Sequence, residues 1–252
     1  MRRQLIACVM LLAAGTPVSA VELELQSGPH QTVMIELYTS EGCSSCPPAE
    51  RYLSQFVHAP QLWQTYIPLA FHVDYWDYLG WRDQFATSAN TQRQQTYGKV
   101  LQARTIYTPE FFVNGKEWRH GLSSGLPGVS AQAVGVLRVS LRGRRIRASF
   151  VPTDRHTLAP QLHLAVLGMG LQREITAGEN AGRHATHEFA VLAHTWVESP
   201  TQRWQTSLPD IGDHLASRLA LVVWVSTRDN PAPVQATGGF LPPSLGKQAQ
   251  VR

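Results

Sequence analysis

Charge is scarce in this 252-residue chain: Asp, Glu, Lys and Arg make up 16% of it, against 43% hydrophobic residues. That balance leaves enough apolar side chain for a core and excludes wholesale disorder. Basic excess is equally thin. Lys and Arg number 22 against 18 Asp and Glu, a net charge of +4, which falls to +2 once Arg2 and Arg3 are set aside with a segment expected to be removed. No nucleic-acid partner is expected on that charge. The nearest basic run, Arg142, Arg144, Arg145 and Arg147, alternates like a strand and turn with a solvated face. Past the first 20 residues there is no apolar stretch of transmembrane length, so no stable membrane span is expected after processing. The chain has no G-x-S-x-G, no P-loop, no G-x-G-x-x-G and no H-E-x-x-H. Hydrolase, nucleotide-binding and zincin chemistry therefore have no foothold. Cysteine is sparse too, with three residues in all.

What is present begins with an address. Arg2 and Arg3 precede an apolar run from Leu5 to Ala14, and Val18-Ser19-Ala20 places small residues where a signal peptidase reads them. Residues 1–20 are expected to be a secretory signal peptide, which makes the mature chain periplasmic or secreted. Removing that segment takes Cys8 with it and leaves Cys43 and Cys46, spaced C-x-x-C, where disulfides form and persist.

Three readings of the pair compete. A structural staple closing so short a loop contributes only about 2 kcal/mol. Zinc wants about four ligands, and no second cysteine pair exists; His72 or His120 would have to come from far away. A redox dithiol needs a strand leading in and a helix leading out. The surroundings favour the third. Val33, Ile35 and Leu37 alternate with Met34 and Glu36 as in a strand, Ser40-Glu41-Gly42 is a turn, and Leu53, Phe56 and Val57 fall at helical spacing after Ala49. A helix start makes a thiolate cheaper. Cys43 is expected to be the exposed sulfur, with a moderately lowered pKa, and Cys46 the buried one. Glu41 opposes thiolate formation if it points inward. Pro47 and Pro48 fit only a first helical turn.

The strand–CxxC–helix unit resembles the thioredoxin superfamily. A second part of the resemblance is Thr108-Pro109-Glu110-Phe111-Phe112-Val113-Asn114-Gly115, where Pro109 takes the place of that superfamily's cis-proline. Asn-Gly between β-formers is a hairpin signal in its own right. The stretches Glu36 to Glu50, Phe71 to Trp81, Thr108-Pro109 and Gly178 to Arg183 are more closely similar to exported bacterial proteins grouped as DUF1223, a family label that supplies no substrate. The resemblance implies a dithiol role for Cys43 and Cys46 with Pro109 against them. Ser44-Ser45 between the cysteines differs from both Gly-Pro and Pro-His, so no redox poise transfers. Glycine and proline between Gly121 and Gly128 leave the last helix of a thioredoxin fold weak or missing.

Two regions remain. Tyr66 to Val73 reads as a strand, and Asp74 to Trp81 packs two carboxylates and four aromatics into eight residues. Tyr75, Trp76, Tyr78 and Trp81 read either as a well-packed loop or as an aromatic wall for a peptide. His72, Asp74 and Asp77 lack a second anchor for a metal. Trp81 to Leu101 looks helical, with Asp83 and Arg93 solvating it or pairing with neighbours. From Val134 onward, six or seven short strands point to a small β-sandwich, Gly178–Arg183 to a polar loop, and the proline-rich stretch from Asn230 to a tail that wraps the surface or frays. His184, His187 and His194 read as exposed or satisfied histidines.

The expected architecture is an α/β thioredoxin-like domain over residues 21–130, an all-β sandwich-like domain over 131–245 and a flexible tail over 246–252. The expected activity is thiol–disulfide exchange with protein or peptide thiols and disulfides, together with an unidentified redox partner. Cys43 and Cys46 would do the chemistry, Pro109 and Thr108 would present substrate backbone, and Tyr75, Trp76, Tyr78 and Trp81 would supply recognition. No cofactor and no metal is expected. The rivals are a non-catalytic binding protein with a quiescent disulfide and a soft-metal carrier for Cu(I).

Overall fold

The computed structural model describes residues 22–119, 125–154, 160–212 and 215–243. The expected leader with its cleavage point, His120, residues 121–124 and the tail 246–252 lie outside that set. In chain order the elements are β1 (Glu22–Gln26), β2 (Val33–Thr39), α1 (Pro47–Ser54), β3 (Tyr66–His72), α2 (Ser88–Val100), β4 (Glu110–Val113), β5 (Lys116–Glu117), β6 (Gly135–Arg142), β7 (Arg145–Pro152), β8 (Pro160–Met169), β9 (Leu171–Ile175), β10 (Arg183–His187), β11 (Ala190–Glu198), β12 (Arg203–Ser207), β13 (Arg218–Thr227) and β14 (Asn230–Phe240). Eight strands form one mixed sheet in the order β14-β13-β8-β11-β3-β2-β4-β5. A second sheet, β1-β6-β7-β12, and a β10-β9 ribbon complete it.

This architecture corrects the expected fold class. The described residues are mostly β, at 47% strand and 14% helix, with two α-helices among them, and the fold is not an α/β thioredoxin-like domain followed by a β-sandwich. The physical reason lies at β3. All seven of its residues are buried, and a strand buried on both faces cannot leave an open edge. β11 covers that edge: Ala190 pairs in parallel with Ala70, and the Ala70 N–H donates to the Phe189 carbonyl at 2.9 Å. Strands from early and late in the sequence thereby become one sheet.

Two apolar layers flank that sheet. On one side α1 and α2 pack over β2, β3 and β4 through Tyr38, Leu53, Phe56, Phe71, Tyr97 and Phe112, all close to fully buried. On the other, β6, β7 and β12 cover β8 and β13 through residues such as Leu137, Leu164, Val166 and Val223. β8 alternates between these layers, Leu164 and Val166 facing one, Ala165 and Leu167 the other. Each buried Leu or Val contributes about 1.5–3 kcal/mol.

Local expectations fared unevenly. The β4–β5 hairpin turns on Asn114 and Gly115, both at positive φ (47° and 78°), as a tight primed turn requires. Gly143 (φ 55°) turns the β6–β7 hairpin. The alternation of β2 does not separate a buried from an exposed face: every residue is buried, including Glu36 at 1% exposure, because sheet or helix covers both sides. Arg93 on α2 balances that carboxylate at 2.8 Å, and Tyr97 Oη donates to it. Helix α2 is shorter than the expected Trp81–Leu101. Its start is set by Thr87, whose hydroxyl accepts from the Asn90 N–H at 3.1 Å. The proline-rich stretch from Asn230 is no fraying tail but the eleven-residue strand β14. It bonds β13 on one side only, the position where Pro231 and Pro233 cost no ladder bond.

Candidate functional site

β2 ends at Thr39 and delivers the chain into the turn that carries both cysteines. Cys46 is the N-cap of α1, and Pro47 and Pro48 occupy the first two helical positions, where a missing N–H costs nothing. The Cys46 carbonyl accepts from the Ala49 and Glu50 N–H groups at 2.9 and 3.2 Å. Cys43 and Cys46 are joined as a disulfide with Cα atoms 5.4 Å apart. Cys43 was expected to be exposed. It is buried at 3% exposure, beside Cys46 at 0%, and the exposed positions of the motif are Ser44 and Ser45. Ser45 Oγ lies 3.3 Å from Cys43 Sγ.

Two loops close over this turn. Trp76 lies directly against Gly42, where an added Cβ would sit 3.2 Å from both the Cβ and the carbonyl oxygen of Trp76. The loop between β9 and β10 comes from the other side. Asn180 Nδ2 donates to the carbonyls of Glu41 (2.8 Å) and Cys43 (2.9 Å), and Glu179 accepts from the Ser44 N–H at 3.3 Å. Gly178–Arg183, expected as a polar loop, reaches the cysteines.

Glu41 does point inward, at 2% exposure. Its carboxylate is met by Trp81 Nε1 (2.7 Å), His187 Nε2 (3.0 Å) and Arg173 Nε (3.2 Å), and the Arg173 guanidinium lies over the Trp81 ring. Burial pushes the His187 imidazole down, but hydrogen bonds to Glu41 and Glu50 outweigh it and lift its pKa to about 10. Below this layer, His72 Nδ1 lies 2.6 Å from Asp83 Oδ2, which also accepts from the Glu41 N–H at 2.8 Å. His72, Glu50 and His187 each offer one ligand atom to a common point, all within 4.8 Å of one another. The trio considered from sequence does not assemble: Asp74 accepts from the Thr91 hydroxyl and Asp77 from the Asp83 N–H, while His72 turns to Glu50 and His187.

The remaining expected residues divide. The Thr108–Pro109 peptide is cis. Thr108 Oγ1 accepts from Trp76 Nε1 at 2.7 Å, so the same tryptophan touches the cysteine turn and the residue before Pro109. Tyr75 Oη donates to Gln94 at 3.2 Å, and Trp81 holds Glu41. Both are therefore structural partners as much as wall. Tyr78, 76% exposed and stacked on Trp76, is the open face of the aromatic loop. Beside Pro109, Glu110 is buried and accepts from Gln94 Nε2 at 2.6 Å; burial lifts its pKa to about 7. Glu50, Asp83, Asn180 and His187 received no functional role from sequence. The one available signal was that Glu50 and Asn180 fall inside stretches already singled out by resemblance.

No curated protein matches this chain. Among solved structures, protein AGR_C_4864 from Agrobacterium tumefaciens is 21% identical, with 83% of this chain and 94% of that one covered and a TM-score of 0.54. HBP35 of Porphyromonas gingivalis is 13% identical over 85% of this chain and 76% of that one, with a TM-score of 0.53. Both likenesses are of fold alone. The family model for "Protein of unknown function (DUF1223)" matches residues 34–226, from β2 through most of β13 and across every residue of the cysteine turn, and the chain therefore belongs to the DUF1223 family.

Proposed function

We propose that this protein is an exported thiol–disulfide exchange protein whose working group is the Cys43–Cys46 pair. One observation carries the reading: the turn that holds the pair is fixed without it. Asn180 and Glu179 on one loop and Asp83 on another hold its backbone from two separate places in the sequence, and Ser40 holds it from within. Closing a four-residue loop adds only about 2 kcal/mol. A cross-link so redundant as a staple is better accounted for by its chemistry.

In the exchange, a substrate thiolate attacks Cys43 Sγ. The Cys43–Cys46 bond breaks, Cys46 leaves as thiolate and takes up a proton, and a mixed disulfide joins substrate to Cys43. A second substrate thiolate then attacks that disulfide and releases Cys43. The substrate is oxidised by two electrons and the pair is reduced by two. The burial of Cys43 requires the Asn180 loop or the Trp76 loop to give way first, and Tyr78 offers an aromatic surface at that edge. Thr108 and Pro109 would face the incoming chain.

That same burial favours a second reading, a binding protein with an inert disulfide. The reduction potential of the pair, and turnover of a small disulfide substrate by wild type, Cys43→Ser and Cys46→Ser, decide between them. Exchange predicts turnover lost in both variants and a trapped mixed disulfide on Cys46→Ser. A potential below about −300 mV with no turnover would overturn the exchange reading.

A further inference from the structure

His72 Nε2, near the cysteine turn, is buried without a hydrogen-bond partner, and His187 Nδ1 beside it has the Glu50 carboxylate 3.1 Å away. Their residues are 0% and 3% exposed. Burying such an atom without a partner is unfavourable, and here His72 Nε2 converges on one point with His187 Nδ1 and the Glu50 carboxylate. In each histidine the other ring nitrogen is held by a carboxylate, His72 Nδ1 by Asp83 at 2.6 Å and His187 Nε2 by Glu41 at 3.0 Å. With the outer nitrogen donating to its carboxylate, each imidazole is oriented to offer the other nitrogen to a metal, His187 giving up the proton it shares with Glu50 on loading. Glu50 is steadied in the same way: its Oε1 accepts from the Thr39 hydroxyl at 2.6 Å, leaving Oε2 to face the histidines.

We propose that Glu50, His72 and His187 bind a divalent transition-metal ion of the zinc class, with one further position open to water. Three elements supply the ligands: α1 one turn beyond Cys46, the last residue of β3 and the last residue of β10. Two imidazoles and one carboxylate suit a borderline ion; calcium and magnesium prefer all-oxygen sets. His187 Nδ1 and Glu50 Oε2, at 3.1 Å, already stand near the roughly 3.3 Å edge of a tetrahedron with metal–ligand bonds of about 2.0–2.1 Å. The edges to His72 lie within 4.8 Å and shorten on loading. Charge agrees. Glu41, Glu50 and Asp83 are three acids around the point and Arg173 pairs with Glu41, so with both histidines neutral a dication restores neutrality. A proton on His187 is the rival occupant. It satisfies Glu41 and Glu50 but leaves His72 Nε2 bare, whereas a metal ion satisfies all three groups.

The test uses the tag-free mature chain with its disulfide intact, stripped by chelator and titrated with zinc chloride near neutral pH, followed by X-ray absorption on the loaded protein. One equivalent of zinc and a nitrogen and oxygen shell with two imidazoles are expected. His72→Ala and His187→Ala lose the site, Asp83→Asn weakens it about 10–100-fold, and His184→Ala, at an exposed position, leaves it unchanged. Absence of saturable zinc uptake by the folded wild type would overturn the proposal. So would sulfur in the metal shell, or full affinity in a His72→Ala chain with native circular dichroism. The absorption measurement needs no variant, so misfolding of a variant cannot shelter the idea.

Discussion

Asn180 joins Cys43 to a part of the chain 137 residues further on, its side-chain amide donating to the Cys43 carbonyl at 2.9 Å and to the Glu41 carbonyl at 2.8 Å. One amide thus closes two acceptors of the cysteine turn and anchors the loop that lies over it. Asn180→Ala leaves both carbonyls to find water, so the turn opens more often. The variant should lose about 1–3 kcal/mol of stability and its disulfide should be reduced by dithiothreitol several-fold faster than in wild type. Urea denaturation and a timed thiol-trapping assay measure the two effects. Equal reduction rates would show that the Asn180 loop does not control access.

Arg93 and Glu36 form a buried pair, at 8% and 1% exposure, with Tyr97 donating to the same carboxylate. Removing one partner strands the other charge. Arg93→Met should destabilise the fold by about 3–5 kcal/mol, while joint replacement of Arg93 and Glu36 by apolar residues should recover much of that loss. Denaturant midpoints of the single and double variants provide the check.

His194, His163 and Trp224 form a cluster of near-parallel rings, the His194 centroid 5.4 Å from His163 and 5.1 Å from Trp224, and burial holds the His194 pKa down at about 3, against an ordinary value of 6.5. The unfolded chain takes up a proton as pH falls below 6.5, while the folded chain refuses it until about 3. Stability contributed by this neutral histidine is therefore complete above pH 6.5 and lost progressively below it. His194→Phe should flatten the acid side of a stability–pH profile measured by urea unfolding. An unchanged slope would contradict this assignment.

Glu110 acts in the opposite direction. Burial lifts its pKa from 4.5 to about 7, so the folded chain keeps a proton that the unfolded chain has already released. Stability falls as pH rises between those two values. Glu110→Gln retains an acceptor for Gln94 and carries no charge, and it should match wild type near pH 4.5 while exceeding it above pH 7. A constant difference across that range would exclude Glu110 as the source.

What could be read from sequence was local. Strand, turn, disulfide and helix around Cys43 follow from residues within a few positions of one another, and Asn114-Gly115 announces its hairpin because both positions need positive φ. What could not be read depends on distance or on concealed charge. Glu36 in an alternating strand looks like a solvent face, and only Arg93, 57 positions away, turns it into core. His187 meets Glu41 across 146 residues, and Glu50 lies on a helix whose outward pattern gives no sign of the histidines beneath. Pro231 and Pro233 argue against a strand until β14 is known to be an edge. The fold class was misjudged for the same reason, since the Ala70–Ala190 seam that merges the halves leaves no local trace.

Synthesis runs from the amino terminus, so Cys43 and Cys46 emerge well before Asn180 exists to cover them. For that interval nothing from the β9–β10 loop covers the pair. The same sulfurs thus stand uncovered while the chain is short and shut in once the late strands have arrived.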